Sequence, residues 1–85
     1  MILLCRNRVK DYDAWKEIFD SHSNAQNGSG LKLTNMWREK DDTNNVFFTF
    51  DVIDEVKARV FLEHPDSQEA GKVSGVIDGE VYFLE

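Results

Sequence analysis

The segment LKLTNMWREKDDTNNVFFTFDVI, residues 31–53, decides the fold, because it contains two strand patterns joined by a short polar loop. Apolar and polar residues alternate through residues 31–40, which is typical of a half-buried strand. Residues 45–53 are rich in Phe, Val and Ile, which favour a second strand. The DDTNN stretch between them tolerates turn conformations, so a β-hairpin is predicted.

A strand and a helix are predicted before this hairpin. Residues 2–9, ILLCRNRV, form a short apolar run that predicts a strand. Asp11 is the expected N-cap of a helix over residues 12–26, since its carboxylate can accept the free amides of the first turn. Gly28 and Gly30 are expected to end this helix, because glycine adopts positive φ angles without strain.

A second helix and a final strand are predicted after the hairpin. Asp54 is the expected cap of a helix that runs to about His64. Pro65 either interrupts that helix or opens a further short turn. The last strand is EVYFLE, residues 80–85.

The resulting order, β-α-β-β-α-β, predicts one α+β domain over residues 1–85, a ferredoxin-like sandwich. Two helices lie on one face of a four-stranded antiparallel sheet. The first and third strands are central and the second and fourth lie at the edges. The central pair is expected to run parallel.

The strands also predict a homodimer. Phe47 and Phe48 are adjacent, so they point to opposite faces of the sheet, yet two helices can cover only one face. A second apolar face left in water would be a large exposed patch, which soluble monomers rarely carry. A second copy of the sheet is the simplest cover, and twofold association is the commonest form.

The composition narrows the classes of partner. The 85 residues carry ten basic and sixteen acidic side chains, a net charge of −6, with no basic stripe for nucleic acid or an anionic membrane. A small uncharged molecule or another protein chain is therefore the expected partner. Cys5 is predicted to be a buried structural thiol. Without a signal segment or a long apolar run, a cytoplasmic location is predicted.

Trp15, Phe19 and His22 recur at steps of three and four along one side of the first predicted helix. They line a pocket or they pack a small core, and both readings remain open. An imidazole suits a general base near neutral pH. The alternative for His22 is a partly exposed side chain near a helix end.

Asn35 and Trp37 are predicted on the strand face that also carries Leu31 and Leu33. An amide among apolar neighbours could donate to a substrate oxygen that gains charge, or it could hold a loop or bulge in an edge strand. Trp37 and Trp15 could sandwich a flat aromatic ligand, or they could be core residues.

His64 could reach a cavity from the second helix, or it could cap the following turn. The acidic residues and histidines show no close metal-ligand spacing, and there is no glycine-rich phosphate loop or nucleotide fingerprint. The sequence therefore predicts an activity, if any, without a protein-held cofactor.

The stretches VKDYDAWKEIFD (residues 9–20) and VYFLE (residues 81–85), with the element order and the two-faced apolar sheet, resemble the dimeric α/β-barrel superfamily. Within it the chain is similar to the antibiotic-biosynthesis-monooxygenase-like proteins, some of which are labelled cyclases. The likeness covers nearly the whole chain. It implies two sheets that close a barrel and a cavity between the sheet and the helices of each subunit.

The resemblance implies a cofactor-independent monooxygenase or cyclase that acts on an aromatic or polyketide-like substrate. In this hypothesis His22 or His64 assists deprotonation, while Asn35 and an indole N–H hold the resulting oxyanion. The alternative is a non-catalytic, ligand-binding or stress-associated dimeric module.

Haem-degrading relatives offer a further comparison, since their site combines an asparagine on the first strand, a tryptophan on the third and a histidine near the second helix. This chain offers Asn7 and His64, but its third strand carries Phe48 and Phe50 instead of a tryptophan. The sequence therefore favours Asn7 as part of a small-molecule site, beside Trp15 and Phe19, over haem chemistry.

Overall fold

The computed structural model describes all of residues 1–85 and contains one four-stranded sheet covered on one face by four short helices. In chain order the elements are β1 (Ile2–Val9), α1 (Tyr12–Ser21), α2 (Ser23–Gly28), β2 (Leu31–Glu39), β3 (Asp42–Val52), α3 (Glu55–Glu63), α4 (Pro65–Val73) and β4 (Val76–Leu84). The strand order is β2-β3-β1-β4, which confirms the predicted ferredoxin-like sandwich with β1 and β3 at the centre.

The two central strands run antiparallel, with Cys5 opposite Phe48. The expectation that they run parallel is wrong. Each helical crossover joins two strands of the same direction, β1 to β2 and β3 to β4, while the hairpin reverses the chain between β2 and β3. Every neighbouring pair in the sheet is therefore antiparallel.

The first predicted helix is divided at His22, whose backbone (φ −94°, ψ 7°) lies between α1 and α2. His22 ends α1, where its amide donates to the Phe19 carbonyl over 3.1 Å, and it begins α2, where its carbonyl accepts from the Gln26 amide over 3.0 Å. The two helices are therefore separated by this single residue.

Both predicted aspartate caps are confirmed. The Asp11 carboxylate accepts the Ala14 amide and the Asp54 carboxylate accepts the Lys57 amide, each over 3.0 Å. Such a cap satisfies one of the amides that a helix start leaves without a partner.

The hairpin is tighter than predicted. Residues 40–41 form the turn and β3 already begins at Asp42, so most of DDTNN lies in the strand. Asn45 is buried there, where its amide accepts from Arg6 over 2.8 Å and donates to Glu39 over 2.9 Å. These sheet partners let a polar, turn-forming sequence extend the strand. β4 is likewise longer than predicted, since it begins at Val76.

A β-bulge interrupts the edge strand β2. Leu33 lies opposite Phe50 and Asn35 lies opposite Thr49, so Thr34 has no residue opposite it. The Thr34 hydroxyl instead bonds the Thr49 carbonyl at 3.0 Å and the Thr49 hydroxyl at 2.7 Å. One extra residue in a strand shifts every following side chain to the other face.

The bulge moves two predicted site residues away from the helices. After it, Met36 lies opposite Phe48, whose ring packs under α1. Asn35 and Trp37 therefore project from the opposite face, and Trp37 is 53% exposed. The prediction that they share a face with the leucines at the start of the strand is wrong.

The core lies between the helices and one face of the sheet, here called the helix face. Its buried apolar residues are Leu3, Cys5, Val9, Trp15, Leu31, Val46, Phe48, Phe50 and Ala58. The other face, here called the open face, has no helix over it. Its main apolar residues are Ile2, Leu4, Trp37, Phe47, Tyr82 and Leu84. Phe47 and Phe48 thus lie on opposite faces, as predicted.

Gly30 ends the connection from α2 to β2 with a φ of 73°, which confirms its predicted role, whereas Gly28 is still helical. A Cβ atom at residue 30 would lie 2.9 Å from both the Cβ and the amide nitrogen of Asp54. The turn therefore needs glycine for its backbone angle and for its close approach to the start of α3.

We expect Gly30→Ala to lower the free energy of unfolding by at least about 1–2 kcal/mol, because it adds left-handed strain and a contact with Asp54. Chemical denaturation of the two proteins measures the difference. Gly28→Ala is the matched control, since no atom lies within 4 Å of its added Cβ. It should be neutral or stabilising, and equal destabilisation by both substitutions would contradict the argument.

Candidate functional site

A cavity of about 770 Å³ lies between the helix face and the four helices. Its volume falls within the range of roughly 300–1,000 Å³ that small-molecule sites occupy. Cys5, Phe48 and Val81 contribute to its floor on three strands, and Phe61 of α3 contributes to the side opposite α1. The helices and the sheet therefore border a partly open space large enough for a ligand of two or three rings.

One wall of the cavity is a continuous helical stripe. Trp15, Phe19, His22, Gln26 and Ser29 all line it, and they follow one another at steps of three and four. The stripe crosses the break at His22, and residues of both helices line the cavity. α1 and α2 thus present one surface to the ligand space.

The wall nearest the sheet is aromatic. The Trp15 and Phe19 rings are stacked with their centroids 4.8 Å apart, and the edge of Phe19 meets Phe48 at 5.1 Å. Phe48 in turn packs edge-on against Phe50 at 5.7 Å. Contacts of this kind contribute about 0.5–1.5 kcal/mol each beyond the area that they bury, so these rings form a firm surface.

Two buried polar groups in the wall have no partner in the protein. Trp15 is 2% exposed and Gln26 is 8% exposed, yet neither the indole N–H nor the Gln26 carboxamide makes a hydrogen bond to another residue. Every fully buried polar side-chain atom of the protein has a hydrogen-bond partner. The unpaired groups of Trp15 and Gln26 are therefore not fully buried, and they open onto the cavity that both residues line. A water or a ligand atom can therefore bond each group from the cavity.

Asn7 adds a second carboxamide on the sheet floor. It lies opposite Gly79 on the neighbouring strand, and a Cβ atom at residue 79 would come within 2.5 Å of the Asn7 side-chain oxygen. The missing side chain of Gly79 therefore gives the Asn7 carboxamide its room at the cavity.

The two histidines differ. His22 is half-buried in the wall and its side chain caps neither helix. His64 is exposed, and its Nδ1 accepts the Asp66 amide over 3.1 Å, which caps α4 ahead of Pro65. Pro65 thus opens a nine-residue helix, and His64 combines its place at the cavity with a capping role.

The structure brings five of the seven sequence-predicted site residues to this cavity: Asn7, Trp15, Phe19, His22 and His64. Their roles in binding or catalysis stay predictions. Asn35 and Trp37 lie on the open face, with the sheet between them and the cavity. A ligand therefore cannot be sandwiched between the two indoles, and Asn35 cannot complete an oxyanion site with either histidine.

Sequence reasoning missed Gln26. Its signal was present, because Gln26 continues the steps of three and four that begin at Trp15. A polar residue at an apolar position of such a stripe is the informative exception.

The cavity carries no buried charge. Its charged lining residues are Lys57 and Asp66, and both are exposed at the rim. Burial raises the pKa of the Cys5 thiol to about 12, so this floor residue is neutral, and its predicted burial is confirmed. No cluster of three or more histidine, cysteine or acidic side chains is placed to hold a metal ion. The surroundings thus suit an uncharged ligand.

Charge is concentrated instead at one end of the open face. The Arg6 guanidinium donates to Glu80 over 2.6 and 3.0 Å, to Asp78 over 2.9 Å and to Asn45 over 2.8 Å. Hydrogen bonds from Tyr82 and Arg6 lower the pKa of the Glu80 carboxyl, and both charges are screened by solvent. The sheet separates this cluster from the cavity.

No protein-family profile matches the chain, and neither does any curated protein. Comparison with solved structures gives clear matches. The crystal structure of an antibiotic biosynthesis monooxygenase superposes with a TM-score of 0.68 at 12% identity, over 100% of this chain and 97% of the other. The chain shares its fold with the antibiotic biosynthesis monooxygenases.

Two further structures with this monooxygenase fold have different descriptions. SnoaB from Streptomyces nogalater, a cofactor-independent oxygenase, has a TM-score of 0.70 at 15% identity, over 99% of this chain and 91% of SnoaB. An uncharacterized NIPSNAP domain protein from Burkholderia xenovorans has a TM-score of 0.65 at 17% identity, over 100% and 93% of the two chains. At these identities the likeness is one of fold. No helix of the chain is long and apolar enough to cross a membrane.

The Cys5 environment predicts a loss of stability at high pH. Between its ordinary pKa of 9.0 and about 12, the thiol ionises in the unfolded chain but stays protonated in the folded one. The unfolded state then binds fewer protons, so the free energy of unfolding should fall by up to about 1.4 kcal/mol per pH unit in this window.

Denaturation of the wild type and of Cys5→Ala across this pH range checks the prediction. The variant lacks the thiol, so its stability should fall less steeply than that of the wild type, while all other titrating groups are shared. Parallel curves would show that Cys5 ionises equally in the folded and unfolded states.

Proposed function

We propose that the protein binds a small, uncharged aromatic or polyketide-like molecule in this cavity and acts on it as a cofactor-independent monooxygenase-like or cyclase-like enzyme. The observation that carries the proposal is a cavity with aromatic walls that also contains two polar groups without a protein partner, on the buried residues Trp15 and Gln26. Apolar walls favour the ring, while the polar groups fix its orientation.

His22 is the proposed base. Its imidazole is half-buried in the wall and is not used as a helix cap, so it is available to take a proton from a phenol or from a carbon next to a carbonyl. The Trp15 N–H and the Gln26 amide N–H would donate to the oxygen that gains charge. Gln26 would take the part that the sequence assigned to Asn35, beside the indole N–H.

The oxygenase step needs no further reductant. For a ring methylene beside a carbonyl, the deprotonated carbon bonds to O2, and the protonated base returns its proton to give a hydroperoxide. Loss of the second C–H proton breaks the O–O bond and forms a carbonyl, and the departing hydroxide takes that proton to become water. The methylene carbon loses four electrons and O2 gains them. The oxygenase description of SnoaB, which has the same fold, supports this choice.

The homodimer is proposed from the open face. Trp37, Tyr82 and Leu84 are between 44% and 53% exposed there, and no helix covers them. A second copy of the sheet would remove this apolar surface from water, with a gain of about 25 cal/mol per Å² of apolar area. The helix-side cavity of each subunit would stay accessible.

The alternative is a non-catalytic ligand-binding or stress-associated module. His64 has its Nδ1 engaged in capping α4, and Asn35 and Trp37 are on the far side of the sheet. Two of the three residues that the sequence assigned to catalysis, His64 and Asn35, are thus engaged elsewhere or lie outside the cavity, which favours binding without turnover.

The two tryptophans give a direct test, because Trp15 lines the cavity and Trp37 lies on the open face. In a proton–nitrogen NMR spectrum, an anthrone, a hydroquinone or another uncharged ring compound that binds should shift the Trp15 indole signal saturably. The Trp37 signal should stay in place. Single Trp→Phe variants assign the peaks, and aromatic acids and haem complete the panel.

Oxygen uptake with each binding compound then separates enzyme from binding module. His22→Gln should keep the Trp15 shift and lose most of the uptake, by about 100-fold or more. Binding without uptake in the wild type would select the non-catalytic alternative. If no compound moves the Trp15 signal, the ligand proposal is wrong.

The dimer is tested by placing a charge on the open face. The 9.8 kDa chain should sediment at twice its mass, and Trp37→Lys should sediment as a monomer, because a buried lysine would lack a partner. Val73→Lys is the matched control, since Val73 is also an exposed apolar residue but lies on α4. A monomeric wild type would contradict the proposal.

A further inference from the structure

We propose that Gln26 makes the cavity selective for an uncharged planar ring compound that carries a hydrogen-bond donor and an acceptor side by side, as a lactam does. The inference rests on the proposed binding of a ring in this cavity and adds the polar edge that the ring must present. It does not depend on whether the ligand is turned over.

The Gln26 side chain can recognise a donor and an acceptor at the same time. A carboxamide presents an N–H donor beside a carbonyl acceptor in one plane. A partner that offers only one of these functions leaves the other unpaired, and Gln26 is 8% exposed with no other residue to bond it. A ligand edge with an adjacent acceptor and donor satisfies both at once.

The backbone of Gln26 is held in place from both sides. Its amide donates to the His22 carbonyl and its own carbonyl accepts from the Ser29 amide, each over 3.0 Å. α2 is in turn held between α1 and β2. Its connection to β2 ends at Gly30. A buried side chain on a fixed backbone loses little further freedom when it binds, so its geometry can discriminate between ligands.

The cavity around Gln26 has no buried charge. Trp15 offers only a donor, and Cys5 keeps its proton. Lys57 and Asp66 are exposed at the rim, where solvent screens them. An anionic ring would lose its hydration here without gaining a buried cation, so the amide selects among uncharged ligands.

Two isomeric probes test the inference. 4-Methyl-2-quinolinone presents the lactam N–H beside its carbonyl, while 1-methyl-2-quinolinone has the same rings and mass but no N–H. The wild type should bind the first about 10-fold or more tightly, as expected for one buried hydrogen bond, with the Trp15 indole shift as the readout. Quinoline-2-carboxylate should bind more weakly than either.

Gln26→Leu should remove this preference, so that the two isomers bind within about twofold of each other. The variant should unfold at about the same temperature as the wild type, because the amide that it removes makes no hydrogen bond within the protein. Asn24→Leu is the matched control, since it removes an exposed amide from the same short helix and should keep the preference. Gln26→Met serves if the leucine variant does not fold.

Equal affinity of the wild type for the two isomers would overturn the inference, and so would a preference that persists in Gln26→Leu. Either result would leave the proposed ring binding intact, because both isomers would still shift Trp15. Failure of every ring compound, including the NMR panel above, to shift Trp15 would instead overturn the proposed function and this inference with it.

Discussion

The contact between the first helix and the sheet controls the rest of the structure. Trp15 stacks on Phe19 and both rings pack against Phe48, which fixes α1 over the centre of the sheet. α2 follows α1 with only His22 between them, so its position depends on that of α1. The second helical pair packs on the core at Ala58 and Phe61, and the space that remains between the two pairs is the cavity.

The bulge at Thr34 gives the two faces of the sheet different uses. It places Trp37 on the open face, whereas the other tryptophan, Trp15, lies in the cavity wall. If Thr34 were paired in regular register, Trp37 would lie opposite Val46 and face the helices, and the apolar surface of the open face would be smaller. A single unpaired residue in an edge strand thus determines which aromatic side chains are available to a ligand and which to a second copy of the chain.

Charge and hydrogen bonding are divided between the same two faces. Arg6 on the open face is satisfied by Glu80, Asp78 and Asn45, whereas Gln26 and the Trp15 N–H in the cavity have no protein partner. A paired cluster of charges stabilises the protein little when it is exposed. The polar groups of Trp15 and Gln26 are different, because they open onto the cavity and are free to bond a ligand. The cavity, and not the charged cluster, therefore has the features of a site.

The sequence by itself determined the order of elements, the helix caps at Asp11 and Asp54 and the ferredoxin-like fold, because periodicity and capping are local properties of the chain. It also placed Trp15, Phe19 and His22 on one helical surface. Only the tertiary structure decided the faces of Asn35 and Trp37, since a bulge depends on pairing with β3 and leaves the alternating pattern unchanged. It also decided that Gln26 is buried without a partner, because burial depends on the sheet and helices that pack around it.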